Sequence, residues 1–112
     1  MTFQQVADLA AAVGIPSAYY QFPNDTALAP PFLCFIMAQS NDAYADDSNY
    51  TKIERIQFEL YTDTKDPALE AQVENVLADA GITWSRDEGF LDSERMHMTT
   101  YQFDVVITTE EG

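Results

Sequence analysis

Residues 50–61 read YTKIERIQFELY, residues 66–81 read DPALEAQVENVLADAG, and residues 95–108 read RMHMTTYQFDVVIT. In the first stretch Ile56, Phe58 and Leu60 alternate with Arg55, Gln57 and Glu59, the period of two that marks a strand with one apolar and one solvated face. The second stretch changes period. Asp66 stands at an N-cap with Pro67 at the first helical position, Leu69, Val73, Val76, Leu77 and Ala80 fall on one face, and Gly81 lies just past the end. Glu70 and Glu74 are expected on the outer side of that helix. The third stretch returns to alternation: Tyr101, Phe103, Val105 and Ile107 share a face that should be core, and Met96 and Met98 point the other way.

Working outward, Thr2 with Gln5 forms a capping box, and Phe3, Val6, Leu9, Ala10 and Val13 line one face of a first helix that Gly14 and Pro16 end. An aromatic segment from Ala18 to Phe22 reads as a short edge strand. After the turn-rich stretch Pro23 to Pro31, Phe32 to Ala38 is apolar on both alternating faces, as in a strand covered on both sides. Gln39 to Asn49, QSNDAYADDSN, reads as a polar loop. Ile82 to Arg86 forms a further strand, closed by a turn near Asp87 to Gly89, before the last strand begins near Arg95. The expected fold is α+β, in the order α-β-β-β-α-β-β. Two helices pack on one face of a four- or five-stranded, mainly antiparallel sheet, within a single domain spanning 1–112. Strand order is not encoded in these local patterns.

The chain has 112 residues, enough for one packed domain, and 46% of them are apolar. Its charge is unusual: 19 Asp and Glu against 5 Lys and Arg, a formal net charge of −14. Such a surface repels phosphates, so specific nucleic-acid binding and attachment to anionic membranes are not expected. It suits plain solubility, a basic partner, an imitation of DNA, or a wall past which DNA slides. Cys34 is the only cysteine, which precludes an intramolecular disulfide and fits a reducing compartment. The first residues carry no basic region followed by an apolar stretch, so the expected location is the cytoplasm.

The inventory of chemistry is empty. His97 is the only histidine, it falls in a strand, and no nucleophile elbow accompanies it, so catalytic residues are not assigned. Asp42, Asp46 and Asp47 crowd one loop, but the spacing lacks the glycine and the bidentate glutamate of a calcium loop, and no metal ligands are assigned. The glycines do not cluster into a phosphate cradle, and no cofactor is expected. What remains is surface. Ile53, Met96, Met98 and one face of Phe32 to Met37 are apolar at positions the alternation exposes, more than a small monomer needs to leave out, which favours self-association.

The stretches YYQFPNDTALAPPFLCFIMAQSNDAYADDSNY (19–50), IERIQFELYTDTKDPALEAQVENVL (53–77) and SERMHMTTYQFDV (93–105) resemble the small tail-completion or tail-terminator proteins of long-tailed bacteriophages and prophages. The resemblance implies an α+β subunit of a ring, commonly of six, at the head-proximal end of the tail tube. There it would meet tail-tube and neck proteins, in the host cytoplasm during assembly and in the virion afterwards. No catalytic residue is implied. The loop from Ser40 to Tyr50 resembles an arm toward neighbouring subunits, which makes Tyr44, Asp46, Asp47 and Tyr50 interaction candidates. The alternatives are an acidic DNA mimic that inhibits a nucleic-acid-binding protein, and an enzyme using a divalent ion at the Asp42–Asp47 loop.

Overall fold

The computed structural model describes residues 1–19, 29–41, 51–92 and 95–108. In chain order it contains α1 (Phe3–Ala12), β1 (Ser17–Tyr19), β2 (Phe32–Asn41), β3 (Thr51–Thr62), α2 (Pro67–Asp79), β4 (Ser85–Leu91) and β5 (Met96–Thr108). The strands form one five-stranded sheet in the order β1-β2-β3-β5-β4. The β1–β2 pair is parallel and the other three pairs are antiparallel. Class, element order and the mainly antiparallel character are those anticipated from sequence.

Both helices begin as their caps dictate. The Thr2 hydroxyl accepts from the Gln5 N–H while the Gln5 side chain accepts from the Thr2 N–H, so two amide donors of the first turn are satisfied reciprocally. Asp66 accepts from the Leu69 N–H at 3.1 Å, with Pro67 pre-setting the first helical residue. At the other end of α2, Gly81 takes φ +76°, and Ile82 donates to the Leu77 carbonyl at 3.0 Å, closing a Schellman turn.

The core lies on the helix face of the sheet. Val6 and Ala10 of α1, Val13 at its C-cap, and Leu69, Val73 and Leu77 of α2 pack over Leu33, Phe35, Ile56, Phe58, Leu60, Tyr101, Phe103 and Val105, all buried. Phe58 is fully enclosed at the centre, with Phe35 and Phe103 meeting it edge-on at 6.1 and 5.2 Å between ring centroids. Gln72 donates to the Val13 carbonyl at 3.0 Å and so ties α2 to the end of α1. Among the described residues no helix is long and apolar enough to cross a membrane.

Four boundaries and placements differ from the sequence-based expectation. The first strand is Ser17–Tyr19, and residues 20–22 of the expected Ala18–Phe22 segment lie outside the described residues. β2 runs on to Asn41 through a register shift between Met37 and Gln39, so Gln39, Ser40 and Asn41 pair with Arg55, Glu54 and Ile53 instead of opening a loop. Their polar side chains read as loop, but the ladder to β3 satisfies their backbone. The expected turn at Asp87–Gly89 is the middle of β4, with Asp87, Glu88 and Gly89 opposite Thr100, Thr99 and Met98. The β4–β5 pairing instead runs on to Leu91 and Met96, and beyond it Arg95 sits at φ 55° and its N–H donates to the Asp92 carbonyl. Finally, Glu70 is buried against the sheet, not on the outer side of α2.

Candidate interaction surfaces

Two features of the fold carry polar chemistry, one beneath the helices and one on the open face of the sheet. Beneath α2, the Glu70 carboxylate accepts from Lys65 Nζ at 2.9 Å, Arg86 Nη1 at 3.2 Å and the Thr99 hydroxyl at 3.3 Å. Lys65 also donates to Glu88 at 2.8 Å, and Arg86 to Glu74 at 3.1 Å. The Tyr101 hydroxyl donates to Glu74 at 3.1 Å. Burial, with the Glu74 and Glu70 carboxylates nearby, pushes the Tyr101 phenol well above its ordinary range. Hydrogen bonds to Glu88 and Glu70 raise the Lys65 ammonium, and the bond from Lys65 holds Glu88 below the usual carboxylate range. The cluster clamps α2 to strands β4 and β5. The sequence signal for it was weak: Glu70 and Glu74 lie four apart beside the apolar stripe, and only the tertiary fold supplies their cations.

His97 belongs to the same side of the sheet, opposite Phe90 and Thr62. Its Nε2 lies 3.4 Å from Glu88 Oε1, is closed off from solvent and makes no hydrogen bond among the described residues. Among the described residues no group of three or more His, Cys, Asp or Glu side chains could hold a metal ion; Asp42, Asp46 and Asp47 lie outside them.

The open face carries a polar ladder between two apolar ends. Gln102 donates to Gln57 and Gln57 to Glu59, each at 2.6 Å, and Tyr61 donates to Glu59 at 2.8 Å. Arg55 grips Asp104 with two bonds of 2.9 and 3.3 Å, which holds the Asp104 carboxyl below its ordinary range. Cys34, opposite Glu59 in the register, is buried. That burial, with the Glu59 charge adding to it, pushes the thiol up to about 11. A depression of about 340 Å³ beside the ladder is lined by Gln57, Ser85, Arg86, Asp87, Thr100 and Gln102.

Of the residues singled out from sequence, Met96 and Met98 lie half-buried on this face, Met98 opposite Tyr61 and Gly89, Met96 opposite Leu91. Phe32 stacks on Tyr61 at 4.9 Å and completes that apolar end. Ile53, 40% exposed, lies at the opposite end against Val106, 46% exposed. Eight residue steps along β3, from Ile53 to Tyr61, separate the two ends, roughly 27 Å of strand, so Ile53 and the methionines belong to different patches. Tyr44, Asp46, Asp47 and Tyr50 lie outside the described residues. Val106 was not singled out from sequence; it becomes notable only because β3 places it beside Ile53.

No protein-family model and no curated protein matches the chain. Its fold does have counterparts among solved structures. A chain from the virion of a native gene transfer agent particle superposes with a TM-score of 0.59 at 16% identity, covering 96% of this chain and 89% of that one. A chain from the sheath/tube terminator of an extracellular contractile injection system, PVC, in its extended state, gives a TM-score of 0.46 at 12% identity, over 100% of this chain and 58% of that one. The first likeness establishes a shared fold along nearly the full length of both chains.

Proposed function

We propose that this protein is a non-enzymatic structural subunit of a phage-like tail, of the tail-completion or terminator type. In this role it associates with itself into a ring, commonly of six in the proteins it resembles, at the head–tail junction and touches tail-tube and neck proteins. The observation that carries this reading is the fold shared over nearly the whole chain with a component of a virion particle. The sequence resemblance to tail-completion proteins supports it independently.

The charge distribution supports it physically. Arg55, Lys65 and Arg86 are three of the five basic residues, and each is engaged by carboxylates of its own chain. What faces outward is therefore an acidic surface, which lets DNA pass a channel wall without sticking. A DNA mimic would need a free, ordered row of carboxylates. Here Glu70, Glu74, Glu88 and Asp104 are tied to cations of their own chain, and the mimic reading is the weaker one.

The test is deletion of the gene from the phage or prophage that carries it, followed by electron microscopy. The expected result is particles whose tails are overlong or unattached to heads, restored by the gene supplied in trans. Normal, infectious particles from the deletion strain would refute the reading. In solution, association is expected to strengthen from about 0.05 to 0.5 M salt, as screening removes repulsion between acidic copies; a mimic would remain small and lose its basic target over the same range.

A further inference from the structure

We infer that neighbouring copies join by continuing the β-sheet through two unlike edges, the outer side of β5 from Phe103 to Thr108 and the outer side of β2 from Ile36 to Asn41. This inference rests on the self-association proposed above and specifies its contact.

The register defines both edges. β4 pairs with β5 only from Met96 to Gln102, so among the described residues Phe103–Thr108 has β3 as its one strand neighbour. β1 pairs with β2 only at Leu33, Cys34 and Phe35, so Ile36–Asn41 likewise has β3 alone. The two segments are equal in length, lie at the same end of the sheet and flank the same part of β3.

Their chemistry differs from that of the sheet's other long edge. β4 reads SRDEGFL, with charges at Arg86, Asp87 and Glu88 that guard an edge against pairing. Ile36–Asn41 reads IMAQSN, with no charge at all, and Phe103–Thr108 reads FDVVIT, where Arg55 neutralises the single acid, Asp104, at 2.9 Å. In a chain of net charge −14, two edges of matching length with no unpaired charge are the places where like copies meet with least repulsion.

The directions agree. β2 and β5 both run antiparallel to β3, so they are parallel to each other. Rotation about an axis along the strands preserves direction, so β5 of one copy meets β2 of the next in parallel. The outer side of β2 already accepts a parallel strand, because β1 pairs there from Leu33 to Phe35; the neighbour's β5 would extend the same ladder. The carbonyl of Val106 points out of the β3 ladder, since it accepts from the Met1 amino group at 3.1 Å, and strand alternation turns the Val106 N–H to the same side. A docking strand would displace Met1. Unlike edges give a heterologous contact, the kind that closes into rings.

The experiment is sedimentation velocity in about 0.3 M salt, where repulsion is screened. Val106→Pro removes an outward N–H and leaves the bonds toward β3; Ser40→Pro does the same on the other edge, since Gln39 and Asn41 face the Arg55 and Ile53 positions that turn toward β2 and Ser40 alternates outward. Should either misfold by circular dichroism, Val106→Lys, or Gln39→Lys with Asn41→Lys, replaces it as a charged guard. Each variant alone is expected to associate at least about tenfold more weakly than wild type. An equimolar mixture of the two should form a 1:1 dimer and stop there, since one intact pair of edges remains. Variants that associate like wild type, or a mixture that gives no dimer, overturn the edge pairing. A wild type that is monomeric at every concentration overturns it too. The deletion phenotype judges the structural-subunit reading separately in each case.

Discussion

Glu70→Gln is the substitution that most directly tests how this fold holds its second helix. The Glu70 side chain is 4% exposed, whereas those of its partners Lys65 and Arg86 are 43% and 41% exposed. Breaking a fully buried pair costs about 3–5 kcal/mol, because the stranded charge loses both partner and water. Here both cations can rehydrate, and Lys65 keeps Glu88 while Arg86 keeps Glu74. Glutamine still offers Thr99 an acceptor. The discounted expectation is a loss of roughly 1.5–3 kcal/mol. At about 4 °C per kcal/mol for a chain of this length, Tm should fall by about 6–12 °C. Urea denaturation followed by the fluorescence of Trp84, which is partly buried against the core, measures the loss directly, with calorimetry for Tm. Combined with Arg86→Gln the effect should be less than additive, since both remove the same contact. A loss below about 0.5 kcal/mol would refute the reasoning, because it would mean that Glu70 is solvated as an outward helix position would be.

The remaining predictions concern core, thiol and pH. Phe58→Ala and Phe103→Ala, at 0% and 3% exposure, should each cost about 3–5 kcal/mol by urea denaturation, with Gln57→Ala on the open face below about 1 kcal/mol. Equal costs for all three would mean the strand register is wrong. Cys34, buried with its thiol at about 11, should react with iodoacetamide at pH 8 at least about tenfold more slowly in the folded protein than in urea. Glu88 and Asp104 are held below their ordinary values of 4.5 and 3.8, mainly by hydrogen bonds from Lys65 and Arg55 respectively. Depressed carboxylates stabilise the fold above their unfolded values, and that contribution is lost as pH falls through the folded ones. Tm should therefore drop between about pH 5 and 3, and Glu88→Gln should flatten the drop; an unchanged slope in that variant would count against the Lys65–Glu88 bond.

Local chemistry alone determined a good part of this protein. The capping box at Thr2 and Gln5, the Asp66–Pro67 start and Gly81 stop of α2, and the alternations around Phe58 and Phe103 are each set by neighbours within a few residues, so they survive the absence of any tertiary knowledge. The expectation that function lies in surfaces had the same source, a chain without clustered nucleophiles, ligands or glycines. Polar composition misled where pairing overrode it: Gln39–Asn41 and Asp87–Gly89 look like loop and turn, yet a partner strand satisfies their backbone groups. Glu70 looked solvated because helical periodicity places a residue on a face without saying what meets that face. Only the tertiary structure brings Lys65, Arg86 and Thr99 to its carboxylate, and puts Val106 beside Ile53 some 27 Å of strand away from Met98. It alone decided the order β1-β2-β3-β5-β4, and with it which edges are guarded and which are open, because strand order depends on contacts between segments far apart in the chain, which no local pattern encodes.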